Sequence, residues 1–494
     1  MTSVAAVGVQ EVDWLAVGPV LGPAVGALLL LAVDAVVGSV RPAQRRVIDL
    51  IAVASLLAGL VVVALVGGRE TFCAAPGQCS YVVSSLTLTL QFLVLASALV
   101  CLLLAIGLRE RPPPTELHVL LLAATAGACA LAGARDYATF AVALETASLP
   151  AVGLVALQRD SRGAEAGLKL LLTSMVSFSL LALGIALIYA STGSLRLGAP
   201  VSTQLGDLQA VHGVGLALVV AGAGFKLSLV PFHLWTPETY AGAPLPVAAF
   251  LSTVSKVAGL AAVVLVLAVG APTRAADWAA PVGVLAVVTM TVGNLVALRQ
   301  RTAVRLLAWS TVAQAGWVVL PLAGAVGAGR ITDAVSASLG YLFAYVVASL
   351  AAFAVVVRVA EQHPDGVRHG LDAYAGLWRR RPVLALMLGF ALLALAGLPP
   401  GVMGVVAKVV ALLPVVGVQA WGLVAVAVIN VVLGVAVYLR WAARLVQVSD
   451  VPPAPATTTP VSHRLALALG AGGTIVLSVL PQLVAGLLDR GPLR

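Results

Sequence analysis

Three of the four lysines in this chain, Lys226, Lys256 and Lys408, stand inside stretches apolar enough to cross a bilayer. An ammonium at the centre of a membrane helix costs about 2.5–3.5 kcal/mol on insertion scales, and this chain prefers Arg everywhere else, so the three mark functional positions. Glu145 is the one carboxylate central to such a stretch, since Asp34 falls near the end of the first. Burial favours the neutral form of both Glu and Lys, whereas a nearby opposite charge favours the ionised forms. A Glu145–Lys226 pair would therefore hold a proton differently when made and when broken, which is the elementary property of a proton switch. The plainer alternative is a static ion pair that fixes helix register.

The segment GAGFKLSLVPFHLWTP, residues 222–237, sets Lys226 five residues before Pro231. Proline lacks a backbone donor and clashes with the carbonyl of Leu227, so the helix is expected to kink or break beside the lysine. Broken backbone at membrane depth is tolerated only where protein or a water-filled cavity satisfies it, which predicts a hydrated pocket there. A second breaker, Pro399 with Pro400, precedes Lys408. Snorkelling or a purely stabilising pairing is the alternative for each lysine, but both stand far from the expected span ends. Lys256 follows LSTVS, residues 251–255, and its Ser/Thr neighbours with water would let it bridge the two broken helices. His233 is placed at the end of the seventh span, where proton entry and an ordinary buried histidine are equally good readings.

The elements that position these groups follow from composition. Hydrophobic residues make up 61% and charged residues 10% of the chain, against about 45–50% and about 25% in soluble domains. The chain is expected to be an all-α polytopic membrane protein with about fourteen spans, at 15–38, 47–67, 82–107, 117–134, 136–158, 165–192, 211–235, 244–269, 277–298, 304–325, 332–358, 382–413, 418–440 and 463–488. Helices 4–8 and 9–13 form two sets of five. Because five is odd, a shared fold would make them inverted repeats, with helices 7 and 12 broken. The expected division is one membrane domain: helices 1–3 in 1–116, repeats in 117–269 and 277–440, a Pro/Thr-rich linker in 441–462, and helix 14 in 463–494.

Nineteen Lys and Arg residues fall on one side of this topology and seven on the other, so both termini are expected outside the cytoplasm. The net charge of +9 reflects that bias and gives no support to nucleic-acid binding. No Lys or Arg precedes Arg41, while Glu11 and Asp13 do, so the first helix is expected to stay in the mature protein. Cys73, Cys79, Cys101 and Cys129 form no metal or cluster spacing. Cys73 and Cys79 share a loop on the non-cytoplasmic side, where a small disulfide and two free thiols both fit.

The stretch FKLSLVPFHLWTPETYAGAPLPVAAFLSTVSKVA, residues 225–258, resembles the antiporter-like membrane subunits of respiratory complex I, above all the subunit N branch of the proton-translocating NADH:quinone oxidoreductase. NLVAL at 294–298, RLLAWS at 305–310, QAGW at 314–317 and GLPP at 397–400 carry the likeness over nearly the whole chain. The largest sister subunit is expected to have a long lateral helix after its core, and another to have Glu where this chain has Lys408. The segment GVMGVVA, residues 401–407, replaces the aromatic-rich stretch usual before that last lysine.

The resemblance implies a proton-translocating membrane subunit, itself without a redox active site, in a bacterial plasma-membrane translocase. It implies a proton path of Glu145, Lys226, Lys256 and Lys408, with no cofactor or metal bound by this chain. NADH, FMN, iron–sulfur clusters and quinone would belong to the assembled complex, and other membrane and peripheral subunits would be the partners. A subunit of a multisubunit cation/proton antiporter, or of a ferredoxin-, F420- or hydrogenase-linked relative, is the alternative.

Overall fold

The computed structural model describes residues 12–37, 42–75, 77–108, 112–202, 208–327, 329–362, 370–448 and 458–485. Glu11, Arg41, Arg109, Arg111, Arg368, Arg490, Arg494 and residues 451–457 of the Pro/Thr-rich linker lie outside them. In chain order the helices are α1 (Gly18–Val37), α2 (Pro42–Leu65), α3 (Ser85–Ile106), α4 (Pro114–Gly133), α5 (Tyr137–Ala156), α6 (Ser161–Thr192), α7 (Gln209–Leu227), α8 (Trp235–Gly242) and α9 (Leu245–Val264). There follow α10 (Ala275–Ala297), α11 (Ala303–Val319), α12 (Arg330–Ala360), α13 (Leu377–Arg380), α14 (Pro382–Ala396), α15 (Val402–Gly417), α16 (Trp421–Val446), α17 (Val461–Val479) and α18 (Gln482–Ala485). Among the described residues thirteen segments are long and apolar enough to cross a membrane, and the shorter α14 and α15 together supply a fourteenth span.

Local chemistry explains the boundaries. Residues 134–136 suffice to separate α4 from α5 because the Asp136 carboxylate caps α5, accepting from the Thr139 amide at 2.7 Å. The seventh span does not stop near residue 235 as expected. It continues through α8 to Gly242, since Pro237 falls in the first turn of that half-helix, where no backbone donor is needed. The last span ends at Val479 rather than near 488, because Pro481 cannot continue it.

One element is absent from the all-helical expectation. Strands β1 (Arg69–Ala75) and β2 (Gln78–Val83) form an antiparallel hairpin with Cys73 opposite Cys79, and the two cysteines are joined as a disulfide. The free-thiol alternative therefore falls. Short strands between apolar runs leave no hydropathy signal, which is why the hairpin escapes sequence reading. Tyr81 of β2 packs on Gly133 and takes a hydrogen bond from Gln91 Nε2 at 2.7 Å, seating the hairpin on α3 and α4. At its rim the Arg69 guanidinium, 2.9 Å from Asp13, holds that carboxyl below its ordinary value.

The two sets of five spans match at one close helix–helix contact. A Cβ added to Gly127 of α4 would lie 2.4 Å from the Ala147 amide nitrogen of α5, and one added to Gly293 of α10 would lie 2.4 Å from that of Ala313 of α11. Gly293→Val is accordingly expected to push α10 off α11 and to destabilise the protein by about 1–3 kcal/mol. Thermal unfolding of the detergent-solubilised variant checks this, and an unchanged midpoint would refute it.

The breaks match as well. The half-helix α7 ends with Ser228 in the left-handed region (φ 68°), and α14 ends with Gly397 likewise (φ 76°). The third residue after each cap is a cis-linked proline, Pro231 or Pro400. Gly259, near the middle of the Leu245–Val269 span, abuts the Leu227 backbone, so the first break lies at mid-depth. The α9 span is wholly buried and those of α11 and α12 are 94% and 89% buried, which makes them the wall between the two sets.

Candidate proton-transfer site

Each break ends a half-helix in the same way. The Leu229 amide returns to the Gly224 carbonyl and Ser228 to Phe225, while Leu398 returns to Leu393 and Gly397 to Ala394. This closing pattern leaves the final two carbonyls of each half-helix without amide partners, at its electronegative end. Side chains from elsewhere take three of them. Lys256 Nζ donates to the Lys226 carbonyl at 3.3 Å, Gln314 Nε2 to that of Leu395 at 3.3 Å, and Lys408 Nζ to that of Ala396.

Lys226 itself points the other way, toward the middle of α5. Its Nζ donates to the Ala147 carbonyl at 3.1 Å and to Ser148 Oγ at 2.9 Å. Ser148 can accept because its own hydroxyl hydrogen goes to the Leu144 carbonyl at 2.7 Å. Glu145 lies on the same helix, half-buried, and its charge and that of Lys226 act on each other without forming an ion pair within 4.0 Å. The structure thus gives Lys226 a hydroxyl and a carbonyl as direct partners and keeps the acid one step away.

Lys256, only 1% exposed on the enclosed α9, cannot snorkel. Its Nζ donates to Ser228 Oγ at 2.5 Å, and that hydroxyl shares a hydrogen bond with Thr236 Oγ1, also at 2.5 Å. The ammonium lies 4.6 Å from the centre of the Trp235 ring, whose Nε1 donates to the Phe225 carbonyl at 2.9 Å.

One turn before Lys256, Ser252 Oγ meets Tyr345 OH and Ser349 Oγ at 2.8 Å each and Thr311 Oγ1 at 3.2 Å. A second cluster centres on Gln314, which donates to Tyr438 OH at 2.8 Å and accepts from Tyr341 OH; Ser310 Oγ meets Tyr438 OH at 2.5 Å. Between the clusters lies a cavity of about 10 Å³ for the centre of a water, room for a single one, lined by Tyr345, Tyr341, Gln314, Leu395, Gly404 and Ala407. Ala407 precedes Lys408. Polar side chains therefore stand in separate clusters between the first break and the second, and the water-sized cavity lies between the Ser252 and Gln314 clusters.

Lys408, on α15, is buried against Gly397, where an added Cβ would lie 2.9 Å from its Cδ and 3.0 Å from its Nζ. Its ammonium lies 5.7 Å from the centre of the Trp317 ring, which stacks on Tyr341. Lys226 and Lys256 thus meet at one break and Lys408 serves the other. His233 is displaced from its expected place at a span end: because α8 extends the seventh span, it lies inside the break with Pro231, buried edge-on to Trp309. Ser252 belongs to the Ser/Thr run noted before Lys256, whereas Thr236, Thr311, Tyr341, Tyr345, Ser349 and Tyr438 carry no signal that single-sequence reading could use, since hydroxyls are common in membrane helices and often bond their own backbone.

A family profile described as "NADH:quinone oxidoreductase/Mrp antiporter, TM" matches residues 134–434, which include Glu145 and all three lysines. A Streptomyces griseus protein named NADH-quinone oxidoreductase subunit N 2 is 41% identical over 502 residues, covering 96% of this chain and 93% of the relative. The chain belongs to the NADH-quinone oxidoreductase subunit N family. A second member of that family, from Salinispora tropica, is 43% identical and covers 88% of this chain and 86% of its own. A chain of respiratory complex I from Thermus thermophilus superposes with a TM-score of 0.78 at 31% identity, covering 95% of this chain and 98% of the other. A chain of the Mrp complex from Dietzia sp. reaches a TM-score of 0.82 at 21% identity, covering 97% of both, which shows that the subunit N fold is also that of an antiporter subunit.

Proposed function

We propose that this chain is the proton-translocating membrane subunit of an NADH:quinone oxidoreductase, and that Glu145, Lys226, Lys256 and Lys408 carry the proton. The observation that bears this reading is the placement of Lys256 and Lys408 on free carbonyls at two matched helix breaks, with Lys226 at the first break reaching toward α5 and clusters of hydroxyl and amide side chains lying between the breaks. Protonation of Lys226 is set by the charge on Glu145. The proton passes by Ser228 and Lys256 to the Ser252–Tyr345 cluster, crosses the water-sized gap, and reaches Lys408. In this reading the redox chemistry, with NADH, FMN, iron–sulfur clusters and quinone, takes place in partner subunits. The arginine-rich edge faces the cytoplasm and helices 4–8 and 9–13 act as the two working repeats. His233, beside the first break, is the proposed entry residue on the Lys226 side.

Two substitutions test the claim together. Lys226→Ala removes the carrier, and Lys226→Arg keeps a charge that does not deprotonate. Proton transfer through this subunit is expected to fall by about 10²-fold or more in both, its share of the H⁺/e⁻ ratio disappearing while electron transfer remains measurable. Inverted membrane vesicles given NADH report the ratio. A full ratio in Lys226→Arg would show that Lys226 supplies only charge.

A further inference from the structure

Among the described residues none of the three lysines has a carboxylate within 4.0 Å; Glu145 acts on Lys226 from beyond that distance, and no carboxylate acts in the same way on Lys256 or Lys408. Lys256 and Lys408 instead have two kinds of neutral partner in common, to which Lys256 adds Ser228 Oγ at 2.5 Å. One is a carbonyl left free at a broken helix end, Lys226 O or Ala396 O. The other is an indole face, Trp235 at 4.6 Å or Trp317 at 5.7 Å. Both distances are within the roughly 6 Å over which a ring quadrupole holds a cation, an attraction that is larger in a desolvated site. Both rings are themselves fixed: Trp235 by its hydrogen bond to Phe225 and by packing on Phe225 and Tyr240, Trp317 by stacking on Tyr341. The arrangement recurs although the two lysines come from non-equivalent places, one on the unbroken α9 and the other after the break on α15.

We infer that Trp235 and Trp317 are positioning residues for proton transfer, each presenting its ring face to an ammonium that has no acid partner. The ring holds the charged lysine over the helix-end carbonyl without forming an ion pair that would trap the proton. An aromatic face, rather than a carboxylate, therefore sets the resting place of the proton at each break. This rests on the reading of Lys256 and Lys408 as carriers given above.

The test uses the assembled complex in inverted vesicles, with the H⁺/e⁻ ratio, NADH-driven electron transfer and the amount of assembled complex recorded together. Trp235→Leu and Trp317→Leu remove the ring face. Trp235→Phe keeps a face but loses the indole hydrogen bond to Phe225. The Leu variants are expected to lower the H⁺/e⁻ ratio by roughly twofold or more while electron transfer continues, and the Phe variants, Trp235→Phe and Trp317→Phe, to restore most of it. If Phe fails as badly as Leu, the indole hydrogen bond or fit is what matters and the inference is overturned. Normal pumping by both Leu variants overturns it too, as does failure of both Leu variants to assemble beside fully active Phe variants, which would reduce the rings to packing. Lys256→Ala and Lys408→Ala run alongside: if they pump normally, the carrier reading itself fails, and a loss in them with none in the Leu variants sinks the indole inference alone.

Discussion

Gly397→Asn is expected to abolish the contribution of this subunit to proton pumping as completely as Lys408→Ala does. The reasoning separates two requirements at one residue. Gly397 has φ 76°, a conformation costing most L-residues roughly 1–2 kcal/mol but one that asparagine tolerates. The second requirement is space, because a Cβ there would lie 2.9 Å from Lys408 Cδ, 3.0 Å from Nζ and 3.2 Å from Cε. Asparagine thus keeps the helix cap and takes the seat of the lysine. Lys408 must leave the Ala396 carbonyl and the Trp317 face, and among the described residues no carboxylate lies within 4.0 Å of it. The amount of assembled complex on a native gel should stay near normal while the H⁺/e⁻ ratio falls to the level of Lys408→Ala. Ser228 shows that the equivalent cap accepts a side chain: it holds φ 68° with a hydroxymethyl group in place. Pumping by Gly397→Asn at the wild-type ratio would show that Lys408 does not need this seat.

Much of this site is legible in the sequence for one physical reason: the bilayer penalises what the site contains. A lysine in an apolar window and a proline inside a span are both costly, so Lys226, Lys256, Lys408, Pro231, Pro399 and Pro400 stand out without any alignment. What these residues touch is not legible. Sequence puts Glu145 and Lys226 at the same depth, yet their helices are rotated so that the ammonium finds Ala147 and Ser148. His233 lies in the break because α7 stops at Leu227 and helix resumes only at Trp235, where Pro237 is harmless in the first turn of α8. The Ser252 cluster draws on α9, α11 and α12, and nothing within any one of those helices announces the meeting. The matching of the two halves is similarly hidden. It resides in the Gly127 and Gly293 contacts and in two left-handed caps, one of them a serine, rather than in residue identity.

Gln314 ties these strands together, and Gln314→Leu should damage both stability and proton transfer in the second half of the path. Its amide donates to the Leu395 carbonyl and to Tyr438 OH and accepts from Tyr341 OH, so three groups from α12, α14 and α16 converge on one buried side chain. Leucine fills similar space but leaves Tyr341 OH and the Leu395 carbonyl without partners, at about 1–3 kcal/mol for each orphaned group, while Tyr438 keeps Ser310. The thermal midpoint of the solubilised complex should therefore drop, and proton transfer should fail separately, because leucine places an apolar wall on the water-sized gap between Tyr345 and Ala407. Gln314→Glu distinguishes the two effects. It keeps an acceptor for Tyr341 OH, replaces the donor to Tyr438 OH with an acceptor to which that hydroxyl can donate, and leaves a polar lining for the gap, so it should recover a large part of the H⁺/e⁻ ratio while remaining less stable than wild type, since a carboxylate faces the Leu395 carbonyl. If Gln314→Leu unfolds early yet pumps at the full ratio in the fraction that assembles, the residue is a structural clamp and the proton takes another route from Lys256 to Lys408.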